Sequence, residues 1–484
     1  MSKILFTHAY FLRYDPKQWA TSQPYPPLAT ITVAAVCRTQ GHQVALYDTM
    51  FSAQPEEIES AIVENVPDYF VIYDDGFNYL TKMCLTNMRQ AAFRMCDIAK
   101  QKGCRIIVSS SDSTDHYDQY LDAGAEFILI GEAEKTLVDL IETIEQNEEI
   151  SKVKGIAYRS GHATIKTSPR PVLRDLDSLP LAAWDLINIE SYRKMWMKST
   201  GYLSLNMATT RGCPYKCNWC AKPIYGNRYN VRSPQHVVRE LKLMKSLFEF
   251  DHIWFCDDIF GLKPGWITEF SELIKKDSIQ IRFKIQARAD LLLQPGIIEA
   301  LAKAGCENAW IGAESGSQKI LDAMDKGITI QQIRAATYQL KMHGILPSLF
   351  IQFGYPGETK EDIRKTISMV NQLLPHSIGV SVSYPLPGTV FYDRVKSAMT
   401  EKKNWTDSDE MQMMFHHDYP PAFYKQLHAY LHKSYRNHLA LHTLRECIRK
   451  PLTITFASIK KAGSLLYYFP ASMVAKQKLN HLAK

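Results

Sequence analysis

No apolar run in the 484 residues approaches the roughly 18 that a membrane-spanning helix needs. The opening Met1-Ser-Lys-Ile-Leu-Phe-Thr7 runs straight into a strand-like segment and lacks the pattern of a secretory signal. Net positive charge is absent over most of the length, although the whole carries +7. Residues 421–484 hold eleven Lys/Arg against Glu446 alone, which leaves residues 1–420 with 46 basic and 49 acidic groups. A body that is slightly acidic excludes nucleic-acid binding argued from global charge. Ten cysteines are too few for a disulfide framework in a chain of this length, and a reducing cytoplasm is the expected location. Histidine pairs at 428/432 and 438/442 lie one helical turn apart but lack an acid in an E-x-x-H arrangement. They read as solvated or packed on aromatics, with metal binding the lesser alternative.

Three of the cysteines stand together in Arg211-Gly-Cys-Pro-Tyr-Lys-Cys-Asn-Trp-Cys220, a C-x3-C-x2-C spacing that follows the short apolar run 202–210. Thiolates are preferred ligands of iron–sulfur clusters, and a loop this tight can aim three sulfurs at one cluster face. A 4Fe–4S cluster has four irons, so Cys213, Cys217 and Cys220 would leave one iron open to chemistry. The alternatives are a zinc loop or scattered structural thiols. Zinc wants a fourth Cys or His, and the next downstream is His236. The segment, with Trp219 before its third cysteine, closely resembles radical S-adenosylmethionine (SAM) enzymes.

Ahead of this loop, residues 1–150 alternate strands and helices. Strands are expected at 3–8, 44–48, 69–73, 105–109 and 127–130, with helices at 28–40, 55–65 and 85–103 and a further one after Gly131. Cys84, Cys96 and Cys104 fall on or beside the third helix. Short strands separated by helices imply a doubly wound, Rossmann-like parallel sheet, whose ligands sit at strand carboxyl ends, here near His8, Asp74, Ser110 and Gly131. Tyr25-Pro-Pro-Leu28, Gly41-His-Gln-Val44 and Ile130-Gly-Glu-Ala-Glu134 resemble the cobalamin-binding domain that precedes many radical SAM domains. The D-x-H-x-x-G motif that supplies a lower axial histidine is absent, so the resemblance implies cobalamin without that ligand. A vestigial domain that binds nothing, or that helps hold substrate, is the alternative.

Residues 151–200 read as a β-hairpin followed by a linker, Leu176-Asp-Ser-Leu-Pro-Leu-Ala-Ala-Trp-Asp-Leu186, which resembles the connector of the same families. Strands and helices alternate again over 201–395, resembling the partial (β/α)6 TIM-type barrel of radical SAM enzymes. Functional residues of barrels stand at strand carboxyl ends. The second strand, 252–256, ends at Asp257-Asp258. An acid pair suits the ammonium of SAM there; a solvated loop pair, or a cap for a short helix starting at Pro264, is the equal alternative. The third, 281–286, leads to Arg288, fitted to a carboxylate unless it pairs structurally with Asp290. The fourth, 308–312, ends in Ala313-Glu-Ser-Gly-Ser317. It resembles the family's G-x-E-S-G-S segment and implies Glu314, with Ser315, at the ribose. The fifth, 348–353, leads to Gly354-Tyr-Pro-Gly-Glu-Thr359, which resembles a G-x-P-G-E-T turn. It implies that Gly354, Pro356 and Gly357 lie along the adenine, with Thr359 and Asp362 capping the next helix. The sixth, 379–383, ends in the P-x-P-G-T run Pro385–Thr389. The ordered series is specific where each motif alone is weak.

Residues 396–484 form a helical, basic region, periodic over 423–444 and drifting after that. Its Tyr467-Tyr-Phe-Pro470 amid basic residues reads as a solvated helical tail or as peripheral contact with an anionic membrane. The resemblance spans residues 1–395. It implies reductive cleavage of SAM at the cluster, a 5′-deoxyadenosyl radical that abstracts hydrogen from an unactivated carbon, and then methyl transfer or cyclisation. This is the chemistry of radical methyltransferases and of the anaerobic magnesium-protoporphyrin monomethyl ester cyclase. The expected partners are a small-molecule or lipid-like substrate and a reductant such as flavodoxin or ferredoxin, with no nucleic acid. A methylthiotransferase and a non-catalytic cobalamin or SAM sensor are the alternatives. The first needs three further cysteines at N-terminal strand ends for a second cluster.

Overall fold

The computed structural model describes every residue except 78–82, 84, 223, 403, 409, 418 and 484, together with the side chain of 453; Cys84 thus lies outside the described residues. The chain forms two compact units. One comprises Met1–Tyr215, Ala221–Ile285 and Asn404–Glu410, the other Lys216–Cys220, Gln286–Lys403 and Met411–Lys484.

The first unit opens with a seven-stranded sheet of order β2-β1-β3-β4-β5-β6-β7. Its strands are β1 (Lys3–Thr7), β2 (Gln43–Leu46), β3 (Tyr69–Tyr73), β4 (Arg105–Ser109), β5 (Phe127–Leu129), β6 (Ile156–Ser160) and β7 (Ala163–Lys166). The first five are parallel, and the expected hairpin, β6 and β7, extends the sheet antiparallel at β5. Strand β3 is buried along its whole length. That is why it reads as an unbroken apolar run and not as an alternating one. The order reverses beside β1, and the loops after β1 and β3 flank that switch point.

A helix the sequence reading left inside the linker, Ile189–Thr200, buries Tyr192 and Trp196 one turn apart and stops at Gly201 in the left-handed region. A six-stranded sheet follows, of order β15-β14-β13-β12-β11-β8. Strands β8 (Ser204–Met207), β11 (His252–Phe255) and β12 (Arg282–Ala287) run parallel. In the second unit so do β13 (Cys306–Glu314), β14 (Leu346–Phe353) and β15 (Ser377–Val382). These are the six strands expected over 201–395. The helix placed at Pro264 runs from Trp266 to Lys276, since Gly265 in the left-handed region stands outside it. Beyond residue 420 the chain does not drift. Helix Pro421–Arg449 is followed by helices Phe456–Gly463 and Leu465–Leu482, the last held together by packing despite Pro470.

Candidate functional site

The cysteine loop rises from a two-stranded ribbon. Strands β9 (Thr210–Arg211) and β10 (Asn230–Val231) pair antiparallel, so residues 212–229 leave and return at one point. At the base Gly212 has φ +77, and a Cβ there would lie 2.4 Å from the Arg228 carbonyl oxygen; only glycine fits. Arg211 is buried, its guanidinium donating to Glu132 and, at 2.7 Å, to Glu134, with the rings of Phe77 and Tyr225 beside it. Two sequence features first read separately, Arg-Gly-Cys and Gly-Glu-Ala-Glu, are therefore one ion-pair cluster joining the first sheet to the stem of the loop. Breaking such a buried arrangement is costly because the remaining charges lose their partners. Lys222 closes the loop by donating to the carbonyl oxygens of Cys213 (2.9 Å) and Tyr215 and to Asn227 Oδ1 at 2.7 Å.

Asp257 belongs to this stem. It is buried, and it accepts from the backbone N–H of Thr209 and of Thr210, both at 2.7 Å, and from the Thr209 hydroxyl at 2.8 Å. Burial pushes its carboxyl up to about 6, against these three bonds. The side chain thus fixes the backbone leading into the cysteines, a task neither sequence reading assigned to it. Asp258, next to it, is exposed.

In the second unit the middle of the loop is locked through Asn218. This side chain donates to the Ala323 carbonyl and to Asp325 Oδ2, both at 2.8 Å, and accepts from the Tyr355 hydroxyl at 2.8 Å. Its backbone N–H donates to the Met324 carbonyl, and its own carbonyl accepts from Phe391 N–H. Asn218 lies between Cys217 and Trp219, so these bonds set the direction of both neighbours. Cys213, Cys217 and Cys220 are half-buried. By contrast, the thiols of Cys37, Cys96 and Cys306 are buried, and burial pushes each of them well up. Among the described residues no three His, Cys, Asp or Glu side chains gather around a single metal-ion position. An iron–sulfur cluster does not require that, since each thiolate goes to a different iron.

Lys326 is the residue the sequence reading missed. It is buried, with Nζ 2.8 Å from Glu314 Oε1 and 5.8 Å from the centre of the Trp219 ring. Burial opposes its charge, but Glu314 and Cys217 outweigh burial and raise its pKa. The backbone makes room for the pair. The register of β13 shifts between Gly312 and Glu314, and Glu314 sits at φ +59. A Cβ on Gly312 would lie 2.7 Å from Lys326 Nζ and 2.9 Å from Glu314 Oε1. Arg288 supports the same segment. It donates to the Lys326 carbonyl at 2.8 Å and to the Gly327 carbonyl, and it pairs with Asp290 at 3.0 Å. Cys217, Trp219, Arg288, Glu314 and Lys326 therefore form one contiguous group. The Trp219 indole N–H is buried without a partner, a donor that a polar ligand would satisfy.

The other expected contacts have packing partners. Ser315 shares a hydrogen bond with Thr366, and Gly316 allows the Lys365–Thr366 backbone to approach within the reach of a Cβ. Thr359 and Asp362 form the expected cap, and Ser317 also donates to Asp362. Gly354 has φ +75, and the space beside its α-carbon is filled by Met413 and Tyr424. Its N–H donates to buried Glu358, whose carboxyl burial raises to about 8. Pro356 and Gly357 are exposed.

A C-x3-C-x2-C loop whose thiols are half-buried, with Lys326 facing Cys217, suits three-thiolate cluster ligation, and residues 207–370 match the Radical SAM superfamily model. The chain carries a radical SAM domain, the domain type defined by a 4Fe–4S cluster and SAM. Similar proteins extend the likeness on both sides of it. An uncharacterised methyltransferase of Pyrococcus horikoshii is 26% identical over 57% of this chain and 60% of its own length. The anaerobic magnesium-protoporphyrin IX monomethyl ester cyclase of Synechocystis is 25% identical over 66% and 63%. The chain thus spans about three fifths of these relatives. Among solved structures, the cobalamin-dependent SAM radical enzyme OxsB with aqua-cobalamin bound shares the fold over 98% of this chain and 72% of its own, with a TM-score of 0.74 at 17% identity.

Proposed function

We propose that this chain is a cobalamin-dependent radical SAM enzyme. It abstracts hydrogen from an unactivated carbon of a small-molecule or lipid-like substrate, and methyl transfer or ring closure follows. The observation that carries the reading is the group around Lys326, which places a cation, an acceptor carboxylate and an unpartnered indole N–H at the second cysteine. When bound, the cluster supplies the electron for reductive cleavage of SAM, and cobalamin supplies a methyl carrier.

The protein's own residues do the rest. Cys213, Cys217 and Cys220 hold the cluster in a loop that Lys222 and Asn218 keep rigid, and Lys326 offsets the negative charge the thiolates bring. Glu314, held by Lys326, accepts from ribose hydroxyls, and exposed Asp258 accepts from the SAM ammonium. Arg288 acts as a positioning residue for the Lys326 segment. The first sheet, with its switch point beside β1, receives the corrin. His8 stands at that edge but is buried and bonded to Asp48 at 2.8 Å and to Thr49, so its ring is already engaged within the protein.

A methylthiotransferase would need cysteines at the strand ends of the first sheet. Among the described residues, Cys37 and Cys96 are instead buried within helices and Cys104 precedes β4; Cys84 lies outside them. Cofactor analysis of protein made with cobalamin available and reconstituted without oxygen tests the proposal. About four irons and one corrin per chain are expected. About eight irons, or no corrin, would overturn it.

A further inference from the structure

We infer that the turn of the C-terminal helices, residues 448–474, is a binding surface for an anionic lipid bilayer. Among the described residues twenty large apolar side chains are exposed, and ten of them fall in this one stretch. They include Leu452, Phe456 (82% exposed), Ile459, Leu466 (86%), Tyr467 and Phe469. Scattered exposed apolar residues are ordinary, but a cluster marks a contact surface.

The helices explain the exposure. Helix Leu465–Leu482 packs back along helix Pro421–Arg449, with Gln426 donating to the Ala475 carbonyl at 2.9 Å and Arg436 to the Tyr468 hydroxyl at 2.8 Å. Only Ser472, Ala475 and Leu479 of the last helix are buried, spaced three and four residues apart. That is one narrow stripe. Leu466, Tyr467, Phe469, Met473 and Val474 of its first half are exposed. The short helix Phe456–Gly463 buries no residue at all.

Charge selects the occupant. Arg445, Arg449, Lys450, Lys460 and Lys461 are interleaved with the apolar residues, and Glu446 is the sole acid of residues 421–484. Glu446 is already within ion-pair distance of Arg449 and Lys450. A second copy docking here would set two positive patches face to face. A bilayer with anionic headgroups meets the lysines and arginines and takes in the apolar side chains, and aromatics such as Tyr467 and Phe469 favour its interfacial layer. Among the described residues no helix is long and apolar enough to cross a membrane, so the hairpin lies on the surface.

The test is co-sedimentation of the full chain with phosphatidylcholine vesicles, with and without phosphatidylglycerol, at low and high salt. Binding is expected only with phosphatidylglycerol and is expected to weaken with salt. Phe456→Asp/Leu466→Asp should lower the partition coefficient about tenfold or more. Lys460→Glu/Lys461→Glu, at exposed positions, should lower it at least about 25-fold, each basic residue counting for about fivefold. Equal binding to both vesicles, no binding, or unchanged binding by the lysine variant overturns the inference. So does a wild-type dimer, seen by light scattering, that the apolar variant makes monomeric. None of these outcomes depends on the radical chemistry.

Discussion

Asp257 and Glu314 each follow or end a parallel strand, and each is buried, yet their oxygens meet different partners. Asp257 accepts three hydrogen bonds from the two residues that lead into the cysteine loop. Glu314 accepts from Lys326, which also faces Cys217 and Trp219. The first carboxylate builds the stem of the cysteine loop, and the proposed function gives the second a part in binding SAM. An acid at a strand end therefore says where chemistry can occur, and only its partners say whether it takes part.

Substitutions can break this contrast. Lys326→Met leaves Glu314 buried without its cation and should cost about 3–5 kcal/mol in denaturant unfolding; adding Glu314→Gln should recover much of that, because the pair is removed together. Asp257→Ala forfeits three bonds, for about 3 kcal/mol, while SAM affinity of the folded protein, read by equilibrium dialysis, stays near wild type. Glu314→Ala should weaken that affinity at least tenfold. If Asp257→Ala lost SAM affinity as strongly, the distinction between the two carboxylates would fail. Gly312→Ala pushes against Lys326 and Glu314 and should cost about 2 kcal/mol, as overpacking of a filled site does.

The smallest effect concerns pH. Burial raises the Glu358 carboxyl to about 8, so the folded state holds a proton that the unfolded chain releases near 4.3. That contribution is complete below about 4.3 and is lost as pH rises through 8. Wild type should lose about 1–2 kcal/mol between pH 6 and 7 through this group, and Glu358→Gln should flatten the slope. Thermal melts across that range give the comparison.

The strand series and its terminal motifs were legible because period, turn residues and order all agree. The cysteine loop was legible from spacing alone. Asn218 and Lys326 were not. Asn218 carries no signal beyond lying between two cysteines, and Lys326 comes from a loop twelve residues past Glu314 that only the fold brings back. Arg211 pairs with Glu132 and Glu134 across some eighty residues, a separation that no local pattern encodes. The tail was expected to be helical and is; its sequence did not show where regular helix continues past 444, because Pro470 and mixed polarity interrupt a helix that packs against Pro421–Arg449.

The central claim is that Cys213, Cys217 and Cys220 hold a cluster that cleaves SAM. The direct measurement is 5′-deoxyadenosine formed from SAM and dithionite by the reconstituted chain, beside Cys217→Ala. Wild type should form it, and the variant should lose it together with iron. No product from wild type carrying about four irons, or equal product from both, would contradict the account.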